Sequence, residues 1–263
     1  MSLRTVIATR YVTPLREGGS LPAIAEADDD GMYVVKFRAA AQGPRALVAE
    51  VVAGEIGRTL GLPVPELVLV EIDPEFGRAE PHQEIQDLLI RSVGLNLGMD
   101  YLPGSLTFDP VAASPPDPDL AARIVWFDAL VTNVDRTARN TNLLRWHRNL
   151  WLIDHGAAMY FHHTWNDVPT QARTPFSRVQ DHVLLPFAGP IADADAELRA
   201  RLDDAELTRI LDLVPDGWLD DLAGFMDVEA HRAAYVDYFV RRLAAADRFT
   251  GEADRARSAI QPA

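Results

Sequence analysis

Apolar and polar positions alternate loosely over LRTVIATRYV (3–12), the period of a strand with one buried face. A stretch punctuated by Gly18 and Gly19 follows, with a second short strand pattern in LPAIAEA. After Gly31 the compact run MYVVKF gives a third, with Lys36 near its end. These predict two or three antiparallel strands joined by turns. From Arg45 to Leu60 the spacing changes. Leu47, Val48, Val51, Val52, Ile56 and Leu60 recur at helical intervals, Gly43-Pro44 opens the helix, Gly61 fits the position just past its end and Pro63 forbids continuation. ELVLVEI (66–72) reads as a strand, PHQEIQDLLIRSVG (81–94) as a helix, and LNLGMDYLPGS (95–105) as an apolar strand running into a turn. The second half has a different texture. A proline-rich loop (109–118) leads into PDLAARIVWFDALVTNV (118–134), apolar on nearly every side and therefore predicted to be a buried helix. DRTARNTN (135–142) breaks it. LLRWHRNLWLID (143–154) predicts a hairpin turning at His147-Arg148-Asn149, and 157–190, without a period, predicts a long ordered loop. Helices are expected over about 193–212, 215–225 and 228–249, with the last dozen residues frayed.

A strand-rich first half with one main helix and a helix-rich second half with one hairpin predict an α+β fold. Its length of 263 residues suits one large or one two-lobed domain. The break near Pro103–Pro118 divides it into an N-lobe (1–104) and a C-lobe (105–263). There is no apolar run of about 20 residues, no basic-then-apolar start and no cysteine. The expectation is a cytoplasmic protein with no membrane insertion, no disulfide and no thiolate metal site. A net charge of −14 makes the chain a poor bulk partner for nucleic acid or anionic lipid, so no direct nucleic-acid binding is expected. One count sharpens the picture: Lys36 is the only lysine among the 25 basic residues. An ammonium is a compact point charge where a guanidinium is a broad planar fork. A lysine that survives such a bias suits a place where the fork does not work.

Candidate chemistry lies where polar residues interrupt apolar structure. Asp135 and Asn140 stand five apart after the buried helix, and Asp154 closes the following hairpin ahead of His155-Gly156, giving D-x-x-x-x-N, hairpin, D-x-G. Moving a γ-phosphoryl group asks for a carboxylate that orients and deprotonates a hydroxyl, oxygen ligands for Mg²⁺, and a cation on the phosphates. In that pattern Asp135 is the candidate base, Asn140 and Asp154 the candidate metal ligands. Lys36 is the candidate phosphate cation, with Glu50 its better helix partner and Glu55 the alternative. The loop around Gly18, Gly19 and Ser20 is the candidate cover for the phosphates through its backbone N–H groups. Each piece alone is a common turn; their order along the chain carries the reading. The other features are bland. Adjacent His162-His163 lack ligand spacing, Asp28-Asp29-Asp30 reads as a solvated turn, His155 as a packing or locally bonded residue, and the five tryptophans as core. No G-x-S-x-G and no GxxxxGK[ST] occurs.

Two stretches, ALVAEVVAGEIGRTLGLPVPELVLVEI (46–72) and NVDRTARNTNLLRWHRNLWLIDHGAA (133–158), resemble the helix-plus-strand and the catalytic and metal-binding loops of HipA-like kinases, the resemblance covering roughly 30–160. It implies a bilobal protein-kinase-like fold with ATP and Mg²⁺ between the lobes. Lys36 would sit on phosphate paired with Glu50, Asp135 would be the base, Asn140 and Asp154 would hold metal, and Met99, Asp100, Tyr101 and Leu102 would form the hinge meeting adenine. It implies a serine/threonine protein kinase whose acceptor is a hydroxyl, expected on a protein. HipA toxins carry a further segment ahead of the kinase core. With Lys36 this early that segment is expected to be absent or minimal, and the expectation is a HipA-like kinase, not a toxin. DRxxxN followed by DxG also resembles phosphoinositide kinases. A lipid or small-molecule kinase of the same fold is therefore the alternative, and a nucleotide-binding pseudokinase the alternative outside enzymes.

Overall fold

The computed structural model describes residues 2–15, 21–40, 42–78, 80–111, 114–220 and 224–260. Its strand-rich part holds β1 (Thr5–Pro14), β2 (Ala23–Ala27) and β3 (Met32–Lys36), then helix α1 (Pro44–Thr59), β4 (Leu67–Ile72), α2 (Gln83–Arg91) and β5 (Gly94–Asp100). The three opening strands are antiparallel neighbours, as their pattern predicts. The sheet does not stay open, however: β1 also pairs in parallel with β4, so the order β1-β2-β3-β5-β4 closes into a barrel. Closure removes the exposed strand edges that an open sheet would leave.

Alternation decides which side chains fill the barrel. Tyr33, Val35, Val68 and Val70 point inward with Val6, Ala8, Ala23 and Ala25. Their neighbours Leu67, Leu69, Leu97 and Met99 point outward and join the core that α1 packs into. Lys36, one step beyond Val35, therefore faces outward, toward α1. Gly98 stands opposite Val68 on the inner face. A Cβ there would come 2.6 Å from Val70 Cγ2 and 2.9 Å from Val68 Cγ2, so only glycine leaves room for both valines.

A turn after β5, with Gly104 at φ +74°, delivers the chain to a short strand the pattern did not predict, β6 (Leu106–Thr107). It pairs with the hairpin of β7 (Leu143–Trp146) and β8 (Asn149–Leu152). The hairpin turns on His147 and Arg148 at φ +46° and +68°, a two-residue loop, with Asn149 already in the strand.

Helix α3 (Pro118–Val131) is buried on nearly every side. Asp117 caps its start by accepting from Leu120 N. It ends three residues short of the expected 134, because Thr132 turns left-handed at φ +54°. The last carbonyls find another donor: the buried Arg242 guanidinium donates to Ala129 O at 2.6 Å and Leu130 O at 2.7 Å. Around α3 pack α5 (Ile191–Arg199) and α8 (Ala246–Ile260), after α4 (Val168–Arg173) and alongside α6 (Asp204–Leu211) and α7 (Val228–Ala244).

Three expectations are corrected. The 157–190 stretch is built of short helical pieces, α4 with 3₁₀ turns at Tyr160–His163, Ser177–Asp181 and Leu185–Phe187. Its anchors come from distant sequence, such as Phe161 stacked on Tyr238 with centroids 3.4 Å apart. Of 215–225 only a 3₁₀ turn at Asp216–Trp218 is described as helical. The final residues are not frayed as far as Ile260. They form α8, whose Asp254 caps α5 through Ile191 N and Ala192 N, and whose Phe249 is buried edge-on against Trp126. Among the described residues no helix is long and apolar enough to cross a membrane.

The barrel interior yields a test. Gly98→Ala should cost about 1–3 kcal/mol of stability in denaturant titration. Adding Val70→Ala should bring the pair to less than the sum of the two single losses, because the second change removes the obstruction. Strict additivity would mean that the valines are not what forbids a side chain at 98.

Candidate active site

The outward face of β3 and the buried face of α1 bring Lys36 and Glu50 together. Glu50 is fully buried in α1 and pairs with Lys36 Nζ through Oε1. Glu55, the alternative, is instead occupied with Arg58. The ammonium makes a second contact, donating to Asp154 Oδ1 at 2.5 Å. Glu50 Oε2 accepts the His155 N–H at 2.9 Å, so one carboxylate ties the lysine to the residue after Asp154. The backbone is bent to permit this. Asp154 is left-handed at φ +56°, a conformation that costs a non-glycine residue energy and marks a constrained site. A Cβ on Gly156 would stand 3.0 Å from Glu50 Oε1, which accounts for glycine there.

Charge balance follows from this packing. Burial by itself would lower the Lys36 value, but the Glu50 and Asp154 carboxylates outweigh it and raise it. Burial would raise Asp154, and the Lys36 charge outweighs that and holds the carboxyl at about 2. Burial pushes the Glu50 carboxyl up, opposed by Lys36. One cation thus serves two carboxylates, one buried and one, Asp154, with a half-exposed side chain. A buried ion pair is costly unless every remaining lone pair is bonded. The His155 N–H meets part of that need.

The second cluster is the turn after α3. Asn140 Nδ2 donates to Asp135 Oδ2 at 2.7 Å and Asn142 Nδ2 to the same oxygen at 3.4 Å. Thr137 N donates to both Asp135 O and Asn140 O, closing the turn. Two links join this cluster to the first. Ile153 N donates to Asn142 O at 3.1 Å. The fully buried Arg136 guanidinium reaches Asn142 O, Ile153 O and His155 Nδ1. Since His155 Nδ1 accepts from a guanidinium, its imidazole is neutral. Burial, reinforced by Arg136, holds it at about 3.

The expected site residues are therefore found in two bonded groups, Lys36–Glu50–Asp154 and Asp135–Asn140, joined through residues that the sequence reading passed over. Asn142, Arg136 and Asp128 are those residues. Their signal was faint: an aspartate inside an apolar helix and an arginine beside the candidate base. Met99 and Leu102 are buried at the end of β5. The N–H groups of Asp100 and Tyr101 already donate to Glu66 O and Met32 O, so those two amides are not available to a ligand without breaking barrel hydrogen bonds. Gly18, Gly19 and Ser20 lie outside the described residues. His162 is buried and its Nδ1 is bonded to Tyr235 OH at 3.1 Å. Among the described residues no group of three or more His, Asp or Glu is placed to hold an ion by itself. The Asp28–Asp30 turn is exposed, as expected, with Asp29 bonded to Arg4 and Tyr33.

Comparison with known proteins identifies the family and the fold. The model of a family described as HipA-like kinase matches residues 8–249. No curated protein sequence matches the chain. Among solved structures, the Helicobacter pylori proinflammatory kinase CtkA superposes with a TM-score of 0.55 at 14% identity, covering 97% of this chain and 99% of that one. At that identity the likeness concerns the fold. The Golgi casein kinase with Mn/ADP bound gives a TM-score of 0.47 at 10% identity, covering 94% of this chain and 73% of that one.

Two buried histidines make the acid side of the stability curve informative. His155 and His162 are both held at about 3 by burial, against an ordinary 6.5. The unfolded chain takes up these protons as the pH falls below 6.5 while the folded chain refuses them until about 3, so stability drops across that window. Each should remove ~2 kcal/mol between pH 7.5 and pH 5. Denaturant melts of His162→Gln should show about one histidine's share of that drop missing. An unchanged acid slope would show that His162 is not held neutral.

Proposed function

The chain belongs to the HipA-like kinase family, and on that premise we propose that it is an ATP- and Mg²⁺-dependent phosphotransferase acting on a serine or threonine hydroxyl of a protein. The observation that supports this most is the Lys36 ammonium held between Glu50 and Asp154. A lone lysine on a barrel strand, fixed by a buried helix carboxylate and touching a half-exposed aspartate, is what a polyphosphate site needs. On this reading residues 1–104 and 105–263 are the two lobes. The nucleotide lies between them with its adenine near Met99–Leu102 and its phosphates at Lys36.

The donor set suits a hard cation. Asp154 offers a carboxylate and Asn140 an amide oxygen, with neither sulfur nor imidazole among them. Two protein oxygens fit an ion that keeps water and phosphate oxygens as its other ligands. Mg²⁺ bound there would neutralise charge building up on the β- and γ-phosphates. Asp154, ionised well below neutral pH, is ready as a ligand at any physiological pH. The hydrogen bond that Asn140 Nδ2 makes to Asp135 leaves Asn140 Oδ1 as the acceptor for metal.

Asp135 acts as base. Asn140 and Asn142 both bond Oδ2, which fixes the carboxylate plane and leaves Oδ1 to take the acceptor's proton. The hydroxyl oxygen attacks the γ-phosphorus, the bond from that phosphorus to the bridging oxygen of ADP breaks, and the hydroxyl proton passes to Asp135. Lys36 stays on the phosphates throughout, its position set by Glu50.

Mutation separates the two clusters. Asp135→Asn should bind Mg²⁺-ATP with unchanged affinity in calorimetry while ATP turnover falls about 10²–10⁴-fold. Asp154→Ala should lose the Mg²⁺ dependence of ATP binding. Full turnover by Asp135→Asn removes Asp135 from the role of base. No ATP binding by the wild-type chain removes the nucleotide site itself.

A further inference from the structure

The mechanism uses Asp135 but not the carboxylate buried beneath it. Asp128 lies in the last turn of α3 with no solvent exposure. Its Oδ1 accepts from Asn133 Nδ2 at 3.0 Å. Its Oδ2 accepts from Arg136 Nε at 2.6 Å and from His182 Nε2 at 2.8 Å. The histidine's direction is fixed by its other nitrogen: Leu184 N donates to His182 Nδ1 at 3.0 Å, so the ring proton is on Nε2 and points at Asp128.

Two of these three donors flank the base. Asn133 Oδ1 accepts the Asp135 N–H at 3.1 Å. Arg136 is the next residue along and spends its remaining nitrogens on Asn142, Ile153 and His155. One carboxylate therefore holds the chain on both sides of Asp135. Within the turn the bonds are local, Thr137 N to Asp135 O and Asn140 O and the two asparagines on Asp135, and they do not tie it to α3. Between α3 and β7 the only regular pairing among the described residues is the isolated bridge from Thr137 to His182. Thr132 and Asn142 are both left-handed, at φ +54° and +47°. A segment of this kind keeps one conformation only where side chains select it.

We infer that Asp128 is a positioning residue for phosphoryl transfer, fixing the Asp135 carboxylate through Asn133 and Arg136, with His182 docking the 177–187 segment onto the same anion. The inference rests on the reading of Asp135 as base. It differs from a purely structural role in what it predicts, since a small displacement of a reacting group costs rate far more than it costs binding.

The test uses the full chain with Asp128→Asn, which keeps the shape and removes the charge. Because the protein acceptor is unidentified, the probes are Mg²⁺-ATP in calorimetry, its slow hydrolysis with water as acceptor, and amide hydrogen exchange. In the variant, hydrolysis at saturating ATP should fall 10- to 100-fold, with the dissociation constant within threefold of wild type. Exchange over 133–142 should quicken at least tenfold, with 47–56 unchanged. His182→Gln, which keeps a donor, should retain more activity than His182→Ala. If Asp128→Asn does not fold, Asn133→Ala removes one contact, leaves the ion pair, and should show the same pattern at smaller amplitude. Wild-type hydrolysis and unchanged 133–142 exchange in a folded variant overturn the inference. So does a loss of Mg²⁺-ATP affinity as large as the loss of rate. Full hydrolysis by Asp135→Asn would instead remove the base assignment. The exchange data would then still decide whether Asp128 holds the turn.

Discussion

A guanidinium buried without exposure must be matched by an anion and by acceptors for every nitrogen, or the fold does not form. Arg136 sets this constraint on the whole molecule. It takes Asp128 from α3, two carbonyls from either side of the β7–β8 hairpin, and the His155 ring from the turn after β8. These partners come from separate elements, so satisfying one residue brings the end of the buried helix, the Asp135 turn and the D-x-G turn into one arrangement. Burial would raise Asp128; the Arg136 charge and the His182 hydrogen bond outweigh that and hold the carboxyl well below the usual range.

From this junction the chain of contacts runs outward to the barrel. His155 gives its ring to Arg136 and its N–H to Glu50, and Glu50 holds Lys36. The Asp135 turn, the Asp154 turn and Lys36 are thus joined through short bonds, most of them buried. The barrel's part is orientation. Strand alternation turns Lys36 outward while its neighbours Val35 and Phe37 fill the interior, and Gly98 keeps that interior dense enough to hold β3 in place.

Arg242 makes a parallel demand in the helical part. It caps the end of α3 and reaches Ala172 O and Thr174 O on the 157–190 stretch. That stretch also docks through Phe161 on Tyr238 and through Val183 N on Arg136 O. Its order comes from contacts with residues far along the chain, which is why it shows no period of its own.

The sequence by itself determined the strands of the barrel, the main helix, the buried helix, the hairpin and the family, because these depend on local periodicity, turn residues and motif order. It also singled out Lys36, Glu50, Asp135, Asn140 and Asp154, since a lone lysine and polar residues at fixed spacing stand out against apolar runs. Only the tertiary structure decided that the strands close into a barrel, that Glu50 and not Glu55 meets Lys36, that 157–190 carries short helical pieces and that a helix runs to Ile260, and that Asp128, Asn133, Arg136, Asn142 and His182 stand around Asp135. The physical reason is the same in each case. A buried polar group is defined by the partner that satisfies it, and here the partners come from different elements, 105 positions apart for Glu50 and His155 and 118 for Lys36 and Asp154, a distance over which no local pattern carries information.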